Sequence, residues 1–316
     1  MAENRWKGRH LLGLQGVSRE DMEQILSVAK KMKKIVLSDD KKVPLLKGKS
    51  IINLFMEPST RTRSSFELAG KYLGADVINL TPSASSIVKG ESFRDTLLTV
   101  SAMGTDAIVL RHKESGSPLY ATQCCHPIII NAGDGAHEHP TQGLLDMFSI
   151  LEEKGTIEGK KIVIAGDILH SRVARSNIYS LTAMGADVHL VGPRTLLPPE
   201  LEKMGVTVHY DVREAVKDAD VINVLRIQLE RMDSGFFPTK REYARIFGIN
   251  NEVLKLAKPD VTVMHPGPMN RGLEISPDVA YGTHSKIEEQ VTNGVSVRMA
   301  VLYLTINGGD GSELAD

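Results

Sequence analysis

Ser50-Ile51-Ile52-Asn53-Leu54-Phe55-Met56-Glu57-Pro58-Ser59-Thr60-Arg61-Thr62-Arg63-Ser64-Ser65-Phe66-Glu67 reads as a strand, a turn and the start of a helix. Ile51 to Phe55 is a short apolar run, and Phe66, Leu68, Tyr72 and Leu73 continue as a helical pattern. Hydroxyls and arginines therefore crowd a helix N-terminus. Backbone N–H groups there lack partners and the helix dipole is positive, so the place suits a phosphate. Ser59, Thr60 and Thr62 add hydroxyl donors, and Arg61 can bind phosphate oxygens in a two-pronged way. The simpler alternative is a capped helix with a basic first turn. Arginines in a first turn oppose the dipole unless an anion is present.

Outward from this unit, strands and helices alternate. Strands are expected at 50–55, 76–80, 107–111 and 127–131, with helices at 18–36, 62–73, 92–103, 118–125 and 139–154. A second alternating set has strands at 161–165, 187–191, 206–209, 220–225 and 261–264, and helices at 171–184 and 212–217. The last helix is expected over about 285–306, with Val291, Val295, Met299, Leu302 and Leu304 as its apolar positions. Alternation of this kind predicts an α/β protein of two doubly wound parallel-sheet domains with the active site in the cleft between them. Residues 1–150 would form one domain, with the C-terminal helix 285–307 packing back on it, and residues 151–284 the other. The polar, glycine-containing stretch 155–161 reads as the seam.

Composition narrows the function. The chain has 316 residues, 41% hydrophobic and 24% charged, as in an ordinary soluble protein of two domains. A formal net charge of −1 argues against nucleic-acid or membrane partners, so anion binding must come from local clusters. The two cysteines are adjacent, Cys124 and Cys125, which points away from a disulfide framework and toward the cytoplasm. The first residues lack the apolar core of a signal peptide, and no apolar run reaches membrane-spanning length.

Further candidates follow strand ends. Gly166-Asp167 after 161–165 imitates a dinucleotide turn, but the second and third glycines are missing, so no nicotinamide or flavin cofactor is expected. In Gly133-Asp134-Gly135-Ala136-His137-Glu138-His139-Pro140-Thr141-Gln142 a glycine-rich turn enters a helix near Pro140, and His139 and Gln142 can face a shared site. No cluster at ligand spacing accompanies His137 and His139, so no metal is expected; helix capping is the plainer role for His139. Arg111 stands at a strand's carboxyl end, where α/β sheets bind ligands, although a surface salt bridge would explain it equally. Thr81 to Glu91 is a small polar loop carrying Ser85 and Lys89. Arg172, then Arg226 with Gln228, then His265-Pro266-Gly267-Pro268 all follow strands of the second set. The Pro-Gly-Pro segment has few donors but offers carbonyls, which suit an amine.

Taken in order over nearly the whole chain, these motifs resemble the carbamoyltransferases, and within them the aspartate branch's catalytic chain. Ser-Thr-Arg-Thr-Arg at 59–63 with His-Pro-Thr-Gln at 139–142 carries the resemblance. It implies transfer of the carbamoyl group from carbamoyl phosphate to L-aspartate in pyrimidine synthesis, without a cofactor, by a homotrimer whose sites are shared between neighbouring chains. It further implies that Ser59, Thr60, Arg61 and Thr62 hold the phosphate, and that Arg111, His139 and Gln142 hold the carbamoyl end. Ser85 and Lys89 would come from the adjacent chain, Lys89 contributing to the aspartate site. Arg172, Arg226 and Gln228 would bind aspartate, and the backbone at Gly267 and Pro268 would meet the reacting groups. Glu57 and Arg231 would close the domains by interdomain ion pairs. Catalysis would rest on Arg61, Thr62, Arg111 and His139. Regulatory chains or a dihydroorotase stay open as further partners.

The charges agree with such substrates: Arg61, Lys89, Arg111, Arg172 and Arg226 balance a phosphate and two carboxylates that could not otherwise be gathered away from water. The ornithine branch would need to seat a cation near Arg226 and typically carries His-Cys-Leu-Pro where this chain has His265-Pro266-Gly267-Pro268. A non-catalytic paralogue would be expected to have lost charged positions that are intact here.

Overall fold

The computed structural model describes residues 4–81, 90–229, 236, 239–309 and 311–314. Ser85, Lys89 and Arg231 lie outside the described residues. The chain divides into two compact units, Met1–Leu145 with Thr292–Asp316, and Asp146–Val291. The first division falls inside a helix, Pro140–Lys154, and not at the 155–161 stretch expected from sequence. Glycine and polarity mark a loop there, whereas packing decides which half of a continuous helix belongs to which core.

In the first unit, α1 (Arg19–Leu37) starts where the Ser18 hydroxyl accepts the Asp21 N–H at 3.1 Å, and buries Met22, Ile25, Leu26, Ala29 and Met32 on one face. There follow β1 (Ser50–Phe55), α2 (Thr60–Tyr72), β2 (Asp76–Leu80), α3 (Phe93–Ala102), β3 (Ala107–His112), α4 (Ser117–Cys124), β4 (Ile128–Asp134) and α5 (Pro140–Lys154). All strands pair in parallel in the order β2-β1-β3-β4. Ile52, Leu54, Ile108, Leu110 and Ile129 pack with Leu97 and Val100 of α3 on one face. Each such side chain contributes about 1.5–3 kcal/mol on full burial. Because β1 is joined to β2 on one side and β3 leads to β4 on the other, the order reverses between β1 and β3. In sheets of this order ligands bind beyond the carboxyl ends at such a point.

The second unit repeats the plan with β5 (Lys161–Ala165), α6 (Arg172–Ala183), β6 (Asp187–Val191), β7 (Thr207–His209), α7 (Val212–Val216), β8 (Val221–Val224), α8 (Lys240–Phe247), α9 (Asn251–Leu254), β9 (Thr262–Met264), α10 (Pro277–Ala280) and α11 (Ile287–Leu302). The parallel order is β7-β6-β5-β8-β9, reversing between β5 and β8. Val163, Ile222, Val224 and Val263 pack against Val212, Val216, Ile249 and Val253. The second division of the chain falls within α11, and Tyr303–Asn307 continues it as a π-helical turn. Of the apolar positions expected on that helix, Val291 is exposed while Val295, Met299, Leu302 and Leu304 are buried. Among the described residues no helix is long and apolar enough to cross a membrane.

Candidate functional site

Three adjacent strands of the first sheet deliver the expected residues from their carboxyl ends. Phe55 of β1 is in register with Arg111 of β3, and the Met56 N–H donates to the Arg111 carbonyl at 2.8 Å. Arg111 lies inside β3, one residue before its end, and not at the strand's last position. Its Nη1 donates to the Ala132 carbonyl at 3.2 Å and its Nε meets Glu57 Oε1 at 2.7 Å. Glu57, expected to serve an interdomain ion pair, therefore pairs here with Arg111 of its own unit.

Beyond β1, Ser59 is the N-cap of α2 in an extended conformation (φ −161°, ψ 100°), and its side chain makes no capping bond. The first turn holds no acid, Arg61 is exposed and Thr62 is buried. Phe66, fully buried, roots the helix, and the Ser65 hydroxyl donates to the carbonyls of Arg61 at 2.8 Å and Thr62 at 3.0 Å. The helix start is thus rigid while its amide end carries positive charge, a combination that favours an anion.

β4 delivers His139 and Gln142. The buried Asp134 carboxylate accepts from Asn131 Nδ2 at 2.8 Å, the Gly116 N–H at 2.7 Å and the Glu138 N–H at 3.2 Å. Buried Glu138 accepts from the N–H groups of Leu14 at 2.7 Å and Gln15 at 3.1 Å. These bonds set the turn before α5, so His139 and Gln142 are both held buried, with the Gln142 N–H donating to the His139 carbonyl at 2.9 Å.

The second unit does the same with β5, β8 and β9. Gly166 has φ +130°, and a Cβ there would stand 3.0 Å from the Leu225 carbonyl oxygen. That explains the glycine without any dinucleotide. Buried Asp167 accepts the His170 N–H at 3.1 Å and the Gln228 N–H at 3.4 Å, and its Oδ1 lies 2.9 Å from His170 Nδ1. Gln228 Nε2 donates to the His170 carbonyl at 3.1 Å, which joins the loops after β5 and β8. Arg172 opens α6 and is buried; Arg226 follows β8 and is half-buried. After β9 the chain turns through Gly267 (φ +57°) and a cis Gly267–Pro268 bond. Among the described residues, no group of three His, Cys, Asp or Glu side chains could hold a metal ion.

Residues 9–152 match the profile of the aspartate/ornithine carbamoyltransferase carbamoyl-P binding domain, and residues 158–305 that of the Asp/Orn binding domain. The chain belongs to the aspartate/ornithine carbamoyltransferase family. Within it, the chain is 57% identical over 311 residues to the aspartate carbamoyltransferase catalytic subunit of Desulforamulus reducens, covering 98% of this chain and 99% of that one. The family's fold does not separate its branches. The chain superposes on ornithine carbamoyltransferase from Pyrococcus furiosus with a TM-score of 0.86 at 33% identity, covering 98% of this chain and 100% of that one. It superposes on aspartate transcarbamoylase from Trypanosoma cruzi, in complex with carbamoyl phosphate, with a TM-score of 0.89 at 31% identity, covering 96% and 97%.

Sequence reasoning gave no role to Asp167, Glu138, His265 or Glu274, buried groups that shape these loops. A signal was present: each is an ionisable residue next to a strand end or a turn. Nothing in the sequence shows that such a residue turns inward onto backbone amides.

Proposed function

We propose that this chain catalyses attack of the L-aspartate amine on the carbonyl carbon of carbamoyl phosphate, giving N-carbamoyl-L-aspartate and phosphate for pyrimidine synthesis. The observation that carries this reading is 57% identity to an aspartate carbamoyltransferase catalytic subunit across both units, since likeness of fold is nearly as high for the ornithine branch, with a TM-score of 0.86 against 0.89 for the aspartate branch. Residues 1–150 with 285–307 serve carbamoyl phosphate, and 151–284 serve aspartate.

Ser59, Thr60, Arg61 and Thr62 take the phosphate at the uncapped start of α2. Arg111, His139 and Gln142 hold the carbamoyl group, and Thr62, Arg111 and His139 stabilise its oxygen as negative charge develops. Arg172, Arg226 and Gln228 receive the aspartate carboxylates, and the backbone at Gly267 and Pro268 orients the amine. A C–N bond forms, the C–O bond to phosphate breaks, and the departing phosphate takes the amine proton. The residues supply position and charge and form no covalent intermediate. Glu57 exchanges Arg111 for Arg231 when the domains close. We place the enzyme in the cytoplasm, where the free thiols Cys124 and Cys125 stay reduced.

The active unit is a homotrimer in which Ser85 and Lys89 complete the neighbouring chain's site, as a closed head-to-tail ring allows. Purified enzyme should form carbamoyl aspartate from carbamoyl phosphate and L-aspartate; comparable rates with ornithine would overturn the substrate assignment. Mixing Lys89→Ala with Arg61→Ala chains tests the assembly. Each alone should be nearly inactive, and reassembled mixtures should recover part of the activity. No recovery in verified mixed oligomers would mean that each chain completes its own site.

A further inference from the structure

The turn after β9 is held from beneath by two buried ionisable side chains that the reaction scheme does not use. His265 Nδ1 accepts the Gly267 N–H at 2.7 Å. A ring nitrogen that accepts carries no proton, so the proton of His265 sits on Nε2 and donates to Glu274 Oε1, 3.2 Å away. The same Glu274 oxygen accepts the Asn270 N–H at 2.5 Å. The N–H groups of Gly267 and Asn270, on either side of Pro268, are therefore captured by one bonded pair. Both side chains are essentially inaccessible to water, at 0% and 1% exposure.

The pair is itself anchored. The His265 N–H donates to Gln290 Oε1 at 2.9 Å, and Gln290 Nε2 donates to Asp146 Oδ1 at 2.8 Å. The other oxygen of Asp146 accepts from Asn177 at 2.8 Å and Asn223 at 3.1 Å. These amides fix which way Gln290 points, because its oxygen faces His265 only while its NH2 faces the carboxylate. On the far side of the turn, Asn270 Nδ2 donates to the Ile227 carbonyl, between Arg226 and Gln228, at 3.0 Å.

We infer that His265 and Glu274 are positioning residues for the transfer step: they hold the Gly267–Pro268 backbone in the orientation that meets the attacking amine, and tie it to the 226–228 segment through Asn270. The inference rests on the proposed role of Gly267 and Pro268. A buried network of this kind is worth its geometry, since a shift of about 1 Å at a reacting group can cost about 100-fold in rate.

Paired substitutions of similar size test it. In His265→Asn an amide oxygen occupies the place of Nδ1 and keeps the bond to Gly267. In His265→Gln the longer amide keeps the bond to Glu274 and releases Gly267. The Asn enzyme should keep kcat within about 5-fold of the parent and the Gln enzyme should lose about 100-fold, both with a carbamoyl phosphate Kd within about twofold. Equal kcat values, or the reverse order, would overturn the inference, as would a loss confined to thermal stability. Gly267→Ala, strained at its positive φ, separates this from failure of the underlying reading. Wild-type kcat there would show that the turn does not meet the reacting groups at all. A slow Gly267→Ala beside equal Asn and Gln enzymes would reject only the positioning role. Glu274→Gln, which keeps the accepting oxygen, should behave like His265→Asn; a kcat as low as that of His265→Gln would also overturn it.

Discussion

The two sheets are alike at their amino ends and unlike at their carboxyl ends. Asp106, just before β3, accepts the Ser50 N–H of β1 at 2.8 Å and Lys49 Nζ at 2.9 Å. Asp220, just before β8, accepts the Lys161 N–H of β5 at 3.0 Å and Lys258 Nζ at 2.8 Å. In each unit one aspartate clasps the pair of strands between which the order reverses. At the carboxyl ends the helices that follow β1 and β5 both have serine N-caps, but only one is capped. The Ser171 hydroxyl accepts the Ala174 N–H at 3.1 Å, whereas Ser59 makes no such bond. The amino ends fasten the fold. The carboxyl ends differ in that the α6 start is capped by its own serine and the α2 start is not, which is where we propose the phosphate binds.

Arg61→Ala should strain this contrast most. We expect turnover to fall by about 100-fold or more, since the guanidinium acts on charge developing at the leaving phosphate, with the fold intact. A fully active variant, assayed at saturating substrates, would remove the α2 start from the site. Arg226→Ala belongs to the other unit and should act on the other substrate. Its kcat/KM for aspartate should fall roughly 30-fold while carbamoyl phosphate affinity, measured by calorimetry, stays unchanged, because a carboxylate loses a two-pronged partner. Loss of carbamoyl phosphate binding instead would erase the division of labour.

The capping difference makes a smaller, opposite-handed pair. Ser171→Ala should cost about 1 kcal/mol of stability in denaturant unfolding, and Ser59→Ala well under half of that, while only Ser59→Ala weakens phosphate binding. Equal stability losses would show that the two helix starts are the same.

The least effect is expected at the shared amino ends, read through pH. Burial alone would push the Asp220 carboxyl up. The Lys258 hydrogen bond, the Lys161 N–H and the charges of Lys258 and Lys160 outweigh it and hold the carboxyl below its usual range. Asp106 is held down in the same way against burial, by the Ser50 N–H and Lys49. A depressed folded pKa adds stability that is present above the unfolded value, about 3.9, and is lost as pH falls through the folded value. The stability gap between the parent and Asp220→Asn should be full near neutrality and shrink below about pH 4. A gap that widens in acid would contradict the clasp.

Much of this was legible along the chain. β1, β2, β5 and β6 run between the residues expected, because short apolar runs bounded by turn residues leave little freedom. β4 runs on to Asp134, past the expected end at Asn131, because its Asn-Ala-Gly-Asp end reads as a turn until Asn131 and Asp134 bond each other. α8, α9 and α10 were not expected from the sequence.

Ser59 to Thr62, Arg111, His139 to Gln142, Arg172, Arg226 and the Pro266-Gly267-Pro268 turn stood out as candidates by residue type and by place at or beyond the end of a strand. Chemistry at a strand's carboxyl end is local information, carried by the sequence alone. Which partner each group takes was decided only by the tertiary structure: Glu57 on Arg111, Asp134 under the His139 turn, His265 and Glu274 beneath Gly267. These contacts join residues brought together by strand order and burial. A carboxylate removed from water bonds whatever donors the packing leaves within reach, and no pattern of neighbours in the chain specifies those.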